Sequence, residues 1–152
     1  MRPSAELKLL FPEFDHKLKQ NDGKIFIFDG IAKKYRVLTP EEWVRQHCLN
    51  FLTKHLNYPS SIIQIERGHA IDHMQRRTDI QVFDSTGKVF MLIECKAPHV
   101  ALTAQTFQQI SQYQKKNEAR YLVLTNGLEN QIFEIDKEQA TTNKLTEFPN
   151  YL

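Results

Sequence analysis

The sequence predicts an α/β fold in which a mixed β-sheet is flanked by helices, with elements in the order αβββαβ. Three observations predict it. Residues 79–95 place turn formers between two runs rich in β-branched and aromatic residues, the local signature of a β-hairpin. Residues 39–56 carry a helical pattern with its own start signal. A second helical pattern at 103–117 leads into YLVLT at 121–125, which has the composition of a strand buried on both faces. Strand, helix and strand therefore form a βαβ unit with an expected right-handed crossover, and the strand before the helix becomes central.

The chain of 152 residues is long enough for one domain whose core needs no staples. It divides into an N-terminal β extension at 1–37, the α/β domain at 38–136 and a polar tail at 137–152. Twenty Lys and Arg against eighteen Asp and Glu leave a net charge of +2, which excludes nucleic-acid binding by bulk charge and confines any DNA surface to a local patch. Cys48 and Cys95 both lie in apolar elements, as expected of reduced, buried thiols in a cytoplasmic protein. The sequence shows neither the apolar run of a signal peptide nor that of a membrane span, so no membrane role is expected.

In the extension, Asn21-Asp22-Gly23 and Asp29-Gly30 are turn signals on either side of KIFIFD, and a second strand is expected from Tyr35. This piece either covers one edge of the main sheet or forms an interaction surface. Thr39-Pro40-Glu41-Glu42 then opens a helix: Thr39 is the N-cap, proline sits in the first turn and the glutamates complement the helix dipole. Val44, Cys48, Phe51, Leu52 and Leu56 recur at helical spacing as its buried stripe. IIQIE at 62–66 reads as a strand. His69 and His73 have the separation used by metal-binding helices, but neither a following glutamate nor an apolar stripe accompanies them. With Arg76 and Arg77 they read better as a basic lip suited to phosphate.

With the hairpin turn centred on Ser85 and Thr86, Phe83 faces Lys88 and Asp79 faces Leu92. Alternation then puts Ile80, Val82, Val89, Met91, Ile93 and Cys95 on a core face and Asp79, Glu94 and Lys96 on the other. Asp79 and Glu94 become diagonal neighbours about 7 Å apart, near enough to hold one cation. Three charges ending an apolar hairpin need compensation. Magnesium supplies it for the carboxylates, taking the Cys95 backbone carbonyl as a further oxygen and keeping waters, while Lys96 positions or deprotonates the attacking water.

Asp79 followed by Glu94-Cys95-Lys96 at the close of an apolar strand resembles the PD-(D/E)xK nuclease core. The run ECKAP is similar to the version in the N-terminal nuclease domain of type I restriction enzyme R subunits. The resemblance runs from about residue 38 to about 134, and departs at Thr78, which stands where the motif has a proline that many members of the superfamily lack. It implies a restriction-endonuclease-like core, a magnesium- or manganese-dependent deoxyribonuclease activity, and DNA and restriction-modification subunits (motor, specificity, methyltransferase) as partners. PEEWVRQ is similar to the family's first-helix motif, which implies that Glu42, or alternatively Glu41, joins the metal shell. Gln109 and Tyr113, at i and i+4 on the second helix, are similar to an additional motif of RecB-like and type I restriction nucleases, implying DNA contact or support of the site.

No GxxxxGK[ST] loop and no GxGxxG occurs, so the chain carries no ATP-driven translocation of its own. Two functions stay open: a metal-dependent DNA endonuclease domain hydrolysing phosphodiester bonds, and a DNA-binding or assembly module of a restriction-type complex that cleaves nothing itself.

Overall fold

A computed structural model describes residues 8–65 and 79–151, apart from the side chains of Tyr113, Lys116 and Asn117. His69, His73, Arg76, Arg77 and Thr78 lie outside the described residues. Among the latter, no helix is long and apolar enough to cross a membrane.

The N-terminal extension forms three antiparallel strands, β1 (Leu18–Asn21), β2 (Lys24–Asp29) and β3 (Lys34–Val37), in the order β1-β2-β3. The β1–β2 turn puts Asp22 at φ 51° and Gly23 at φ 75°, a left-handed pair that suits a two-residue hairpin and that the Asn-Asp-Gly signal anticipates. The Asp29 side chain, fully buried, closes the β2–β3 connection. It accepts the N–H groups of Ile31 and Ala32 at 2.9 and 3.0 Å and pairs with Arg36 Nε at 2.7 Å.

Helix α1 (Pro40–Asn50) begins as expected, the Thr39 hydroxyl accepting the Glu42 N–H at 3.0 Å. It does not continue as regular helix to residue 56. A π-helical turn, Phe51–His55, follows and closes with Leu56 N–H on the Phe51 carbonyl at 3.1 Å. The buried stripe is wider than the apolar spacing indicates, because Trp43, His47 and Leu49 are buried beside Val44, Cys48 and Leu52. The N-terminal segment causes this: Phe14 meets His47 edge-on at 4.8 Å and His16 meets Trp43 at 5.0 Å.

The main sheet has six strands in the order β4-β5-β6-β7-β8-β9: β4 (Ile63–Ile65), β5 (Ile80–Phe83), β6 (Val89–Cys95), β7 (Tyr121–Thr125), β8 (Asn130–Asp136) and β9 (Thr141–Leu145). Among the described strands, only β6 and β7 run parallel, and helix α2 (Ala104–Asn117) makes the long crossover that a parallel pair requires. The αβββαβ order is present, and β6 is central. α1 and the N-terminal sheet cover the face bearing Ile80, Val82, Met91, Ile93 and Cys95. α2 covers the other with Ile110 against Leu92, Leu122 and Leu124.

Three expectations are corrected. The β5–β6 register pairs Ile80 with Ile93, so continuing the ladder sets Asp79 directly across from Glu94 rather than diagonally. Two steps cause it: the loop, where Asp84 accepts from Thr86 N–H, Thr86 Oγ1 and Lys88 N–H, is wider than a turn on two residues and pairs Phe83 with Val89 rather than Lys88, and the bulge beside it shifts the register by one more. Second, a bulge at the Val82/Phe83 shift leaves Phe90 unpaired, which moves Val89 off the α1 face and onto the α2 side. Third, the segment expected as a polar tail carries β9 and ends in aromatic packing, with Phe148 5.3 Å from Phe51 and Tyr151 5.4 Å from Tyr58. TTNKL is polar because an edge strand with an exposed burial pattern needs no apolar residues.

The turn after β7 is fixed from two sides. Gly127 sits at φ 83°, a conformation that favours glycine, and a Cβ there would come 2.7 Å from a methyl of Leu9, which would have to shift. Its carbonyl accepts the Leu10 N–H at 2.7 Å, tying the N-terminal segment to the end of the sheet where Glu94 and Lys96 lie.

Candidate active site

Asp79 stands just before β5 and Glu94 is the penultimate residue of β6. The Asp79 carboxylate accepts the Cys95 N–H at 2.7 Å and the Arg45 guanidinium at 2.6 Å. Lys96 Nζ lies 3.2 Å from Glu94 Oε1, and its backbone N–H donates to the Thr125 carbonyl at 2.8 Å, so the end of β6 stays tied to β7. Asp79, Glu94 and Lys96 are thus brought together at one end of the sheet, each partly buried, with 15%, 20% and 23% of the side chain exposed.

Arg45 is the site residue that sequence reasoning missed. From α1 it reaches Asp79, Glu42 and, at 3.4 Å, Glu41. Its spacing from Glu41 and Glu42 is readable as helix-face pairing, but its contact with Asp79 spans 34 residues and leaves no local trace. Burial opposes its charge; Asp79 and then Glu42 outweigh burial and hold the guanidinium protonated. Glu42 is engaged on its own helix, by Arg45 and by Gln46 Nε2 at 2.9 Å. Glu41 is the acid in electrostatic reach of the strand residues. Burial and then Asp79 raise its pKa, Arg45 and then Lys96 oppose the rise, and Glu41 in turn contributes to the rise at Glu94.

The environment of Glu94 shows what the site lacks. Burial, then the Asp79 carboxylate, push its pKa from 4.5 up to about 8, with Lys96 pulling the other way. Among the described residues, four carboxylates share the region with two cations, Arg45 and Lys96, which adds to burial in favouring a proton on Glu94. Between those two pKa values the folded chain keeps a proton that the unfolded chain has lost. The contribution of Glu94 to stability therefore falls as pH rises through that window and is level above it. We expect the thermal midpoint of the metal-free protein to fall between about pH 5 and about pH 8, and Glu94→Gln to flatten that fall, measured by calorimetry across the range.

The donor set suits a divalent cation. Asp79 and Glu94 offer hard oxygens, the Cys95 backbone carbonyl is a further one, and the local charge is short of positive. Among the described residues, no three or more His, Cys, Asp and Glu side chains gather closely enough to hold a metal by themselves. A two-carboxylate set fits magnesium better than zinc, because magnesium retains water in its shell.

Cys95 turns away from the carboxylates and is fully buried with Cys48. The hydrogen bond with the Cys48 thiol, then burial, push the Cys95 thiol well above its ordinary pKa, so it stays protonated. Cys95→Ser is expected to cost about 1–3 kcal/mol in urea denaturation through poorer burial of a hydroxyl, and to leave divalent-cation binding unchanged.

Gln109 is half-buried on α2, and among the described residues no hydrogen bond ties it to Asp79, Glu94 or Lys96. Tyr113 stands one turn later on the same helix, its side chain outside the described set. Arg76 and Arg77, read as a basic lip, lie outside the described residues as well.

Fold and site define an α/β protein with a carboxylate–lysine centre at the end of the central strand of a mixed sheet. Residues 40–149 match the family described as type I restriction enzyme R protein N terminus (HSDR_N), and the chain belongs to that family. Among solved structures it is similar to a fragment described as an HsdR subunit of a type I restriction enzyme from Vibrio vulnificus. The two share 21% identity over 58% of this chain and 16% of that one, with a TM-score of 0.39. No curated protein matches at a significant level.

Proposed function

We propose that the chain is a metal-dependent DNA endonuclease domain of the PD-(D/E)xK type, working in the setting of a type I restriction system. The observation that carries the reading is the meeting of Asp79, Glu94 and Lys96 at one end of the sheet, where burial and the Asp79 carboxylate favour a proton on Glu94.

Asp79, Glu94 and the Cys95 carbonyl would hold Mg2+ or Mn2+, with Glu41, rather than the Glu42 engaged by Arg45 and Gln46, assigned a water-bridged contact. A bound divalent ion supplies charge neutralisation on the phosphate and acidifies water. Lys96 orients the nucleophilic water and places positive charge beside the phosphate as negative charge grows there. Asp79 fixes the Cys95 N–H and the Arg45 guanidinium, setting the α1–β6 spacing on which that alignment depends. Gln109 and Tyr113 are assigned to DNA contact on α2, and Arg76 and Arg77 to phosphate. Motor, specificity and methyltransferase subunits are the partners this reading calls for, with the cytoplasm as the compartment.

One observation favours a second reading, a DNA-binding or assembly module. Arg45 already neutralises Asp79 and Glu42, as a structural cation would. Thermal melting with Mn2+ or Mg2+ separates the two. A folded ligand set gains stability with free ion, so the native chain is expected to rise in Tm and Glu94→Ala is not. Equal shifts in both proteins would remove the metal and leave the module.

A further inference from the structure

The outer face of the N-terminal sheet is aromatic and basic together. Alternation turns Leu18, Ile25 and Ile27 toward the core. On the opposite face, Phe26 stands across from Lys19 on one side and Val37 on the other, and Phe28 across from Tyr35. Phe26, Phe28, Tyr35 and Val37 belong to neither core cluster. Tyr35 and Val37 are 37% and 47% exposed, unusual for large apolar residues in this fold. The Phe28 and Tyr35 rings meet edge-on at 5.2 Å. Lysine ammonium groups lie over these rings: Lys19 is 4.2 Å from the Tyr35 centroid and 6.0 Å from that of Phe26, and Lys17 is 5.7 Å from that of Phe28.

Charge is concentrated on the same strands. Residues 17–37 hold Lys17, Lys19, Lys24, Lys33, Lys34 and Arg36 against Asp22 and Asp29, in a chain whose net charge is only +2. Asp29 is buried against Arg36, so it does not offset the exposed lysines. The local basic patch that overall composition could not reveal lies here.

We propose that this face binds single-stranded DNA, with bases stacking on Phe26 and Tyr35 and phosphates lying along Lys17, Lys19 and Lys24. The half-buried Phe26 and exposed Tyr35 rings on the outer sheet face offer π-faces that a duplex cannot use, since its bases are already stacked. Strands about 4.8 Å apart give a three-stranded sheet the width for two or three bases. Charge complementarity selects a polyanion over an apolar protein surface. The choice of DNA over RNA rests on the function proposed above; the binding itself requires neither metal nor cleavage.

The test is fluorescence anisotropy with labelled oligothymidylate of about twenty nucleotides, in EDTA, across a salt series. Wild type is expected to bind more tightly than to duplex of the same length, with affinity falling by a log–log slope of about 0.7 per phosphate contacted. Phe26→Ala/Tyr35→Ala is expected to weaken binding at least tenfold. Lys17→Glu/Lys19→Glu, which keeps the rings and changes only exposed positions, is expected to weaken it comparably and to reduce the salt slope. Lys137→Glu/Lys144→Glu, the same charge change near β9, is expected to stay within about twofold of wild type. Binding is read in EDTA without cleavage, so a failure of this site is distinct from a failure of the nuclease reading. Preference for duplex, wild-type affinity in the folded lysine variant, or tighter binding of oligouridylate would overturn the proposal. So would self-association that Phe26→Ala/Tyr35→Ala abolishes in a chain that ignores oligothymidylate, because the face would then belong to a second copy.

Discussion

Lys96→Ala is expected to lose nicking of supercoiled plasmid in Mn2+ while keeping the cation-dependent rise in Tm. The side chain touches Glu94 at 3.2 Å, but the strand is held by its backbone N–H on Thr125, so truncation leaves the ladder intact. Removing a cation from beside two carboxylates takes away no metal ligand, and it relieves like-charge repulsion against an incoming divalent ion. Metal affinity should hold or improve. What goes is the group that orients water and meets charge on the phosphate, a contribution of about 10² to 10⁴ in rate. Where the isolated chain cuts too slowly to measure, reconstitution with the motor subunit supplies the reference rate. Wild-type cleavage by Lys96→Ala would defeat the nuclease assignment and leave a module that binds or assembles.

The second large effect falls on stability. Arg45→Ala removes the side chain that joins α1 to Asp79, and leaves Asp79 and Glu42 with charges that burial penalises. Breaking a buried ion pair from one side costs about 3–5 kcal/mol, more than the pair contributes when intact. Arg45 is 12% exposed, and its Nε is buried without a partner among the described residues, so part of its own desolvation is never recovered. Urea denaturation at neutral pH should show the loss, and Mn2+ should restore part of it, since the ion relieves the same carboxylates. A change within about 0.5 kcal/mol, the range of an ordinary surface substitution, would mean that solvent already screens this cluster.

These residues also mark where sequence is legible. The Thr39 cap, the hairpin, the buried YLVLT and the central place of β6 are each written in a few neighbouring side chains, and local rules recover them. The inward turn of Cys95 follows from strand period alone. The β5–β6 register does not, because it depends on three hydrogen bonds to Asp84 and on an extra residue at Phe90. Strand β9 is hidden because its composition answers to solvent rather than to a core. Arg45 is hidden for a different reason: a polar residue on a helix looks the same whether it meets water or an aspartate 34 positions away.

The single parallel pair has a consequence in time. β6 is hydrogen-bonded on both edges, to β5 and β7, and covered on both faces, with Leu92, Ile93, Leu122 and Leu124 all fully buried. Edge strands such as β9 can fray alone, whereas a strand enclosed in this way opens only with the whole molecule. Glu94 is therefore carried by the slowest-opening segment of the chain, and Asp79 is fastened to it through the Cys95 amide. The alignment of those two carboxylates lasts as long as the folded state does, and fluctuations at the periphery do not interrupt it.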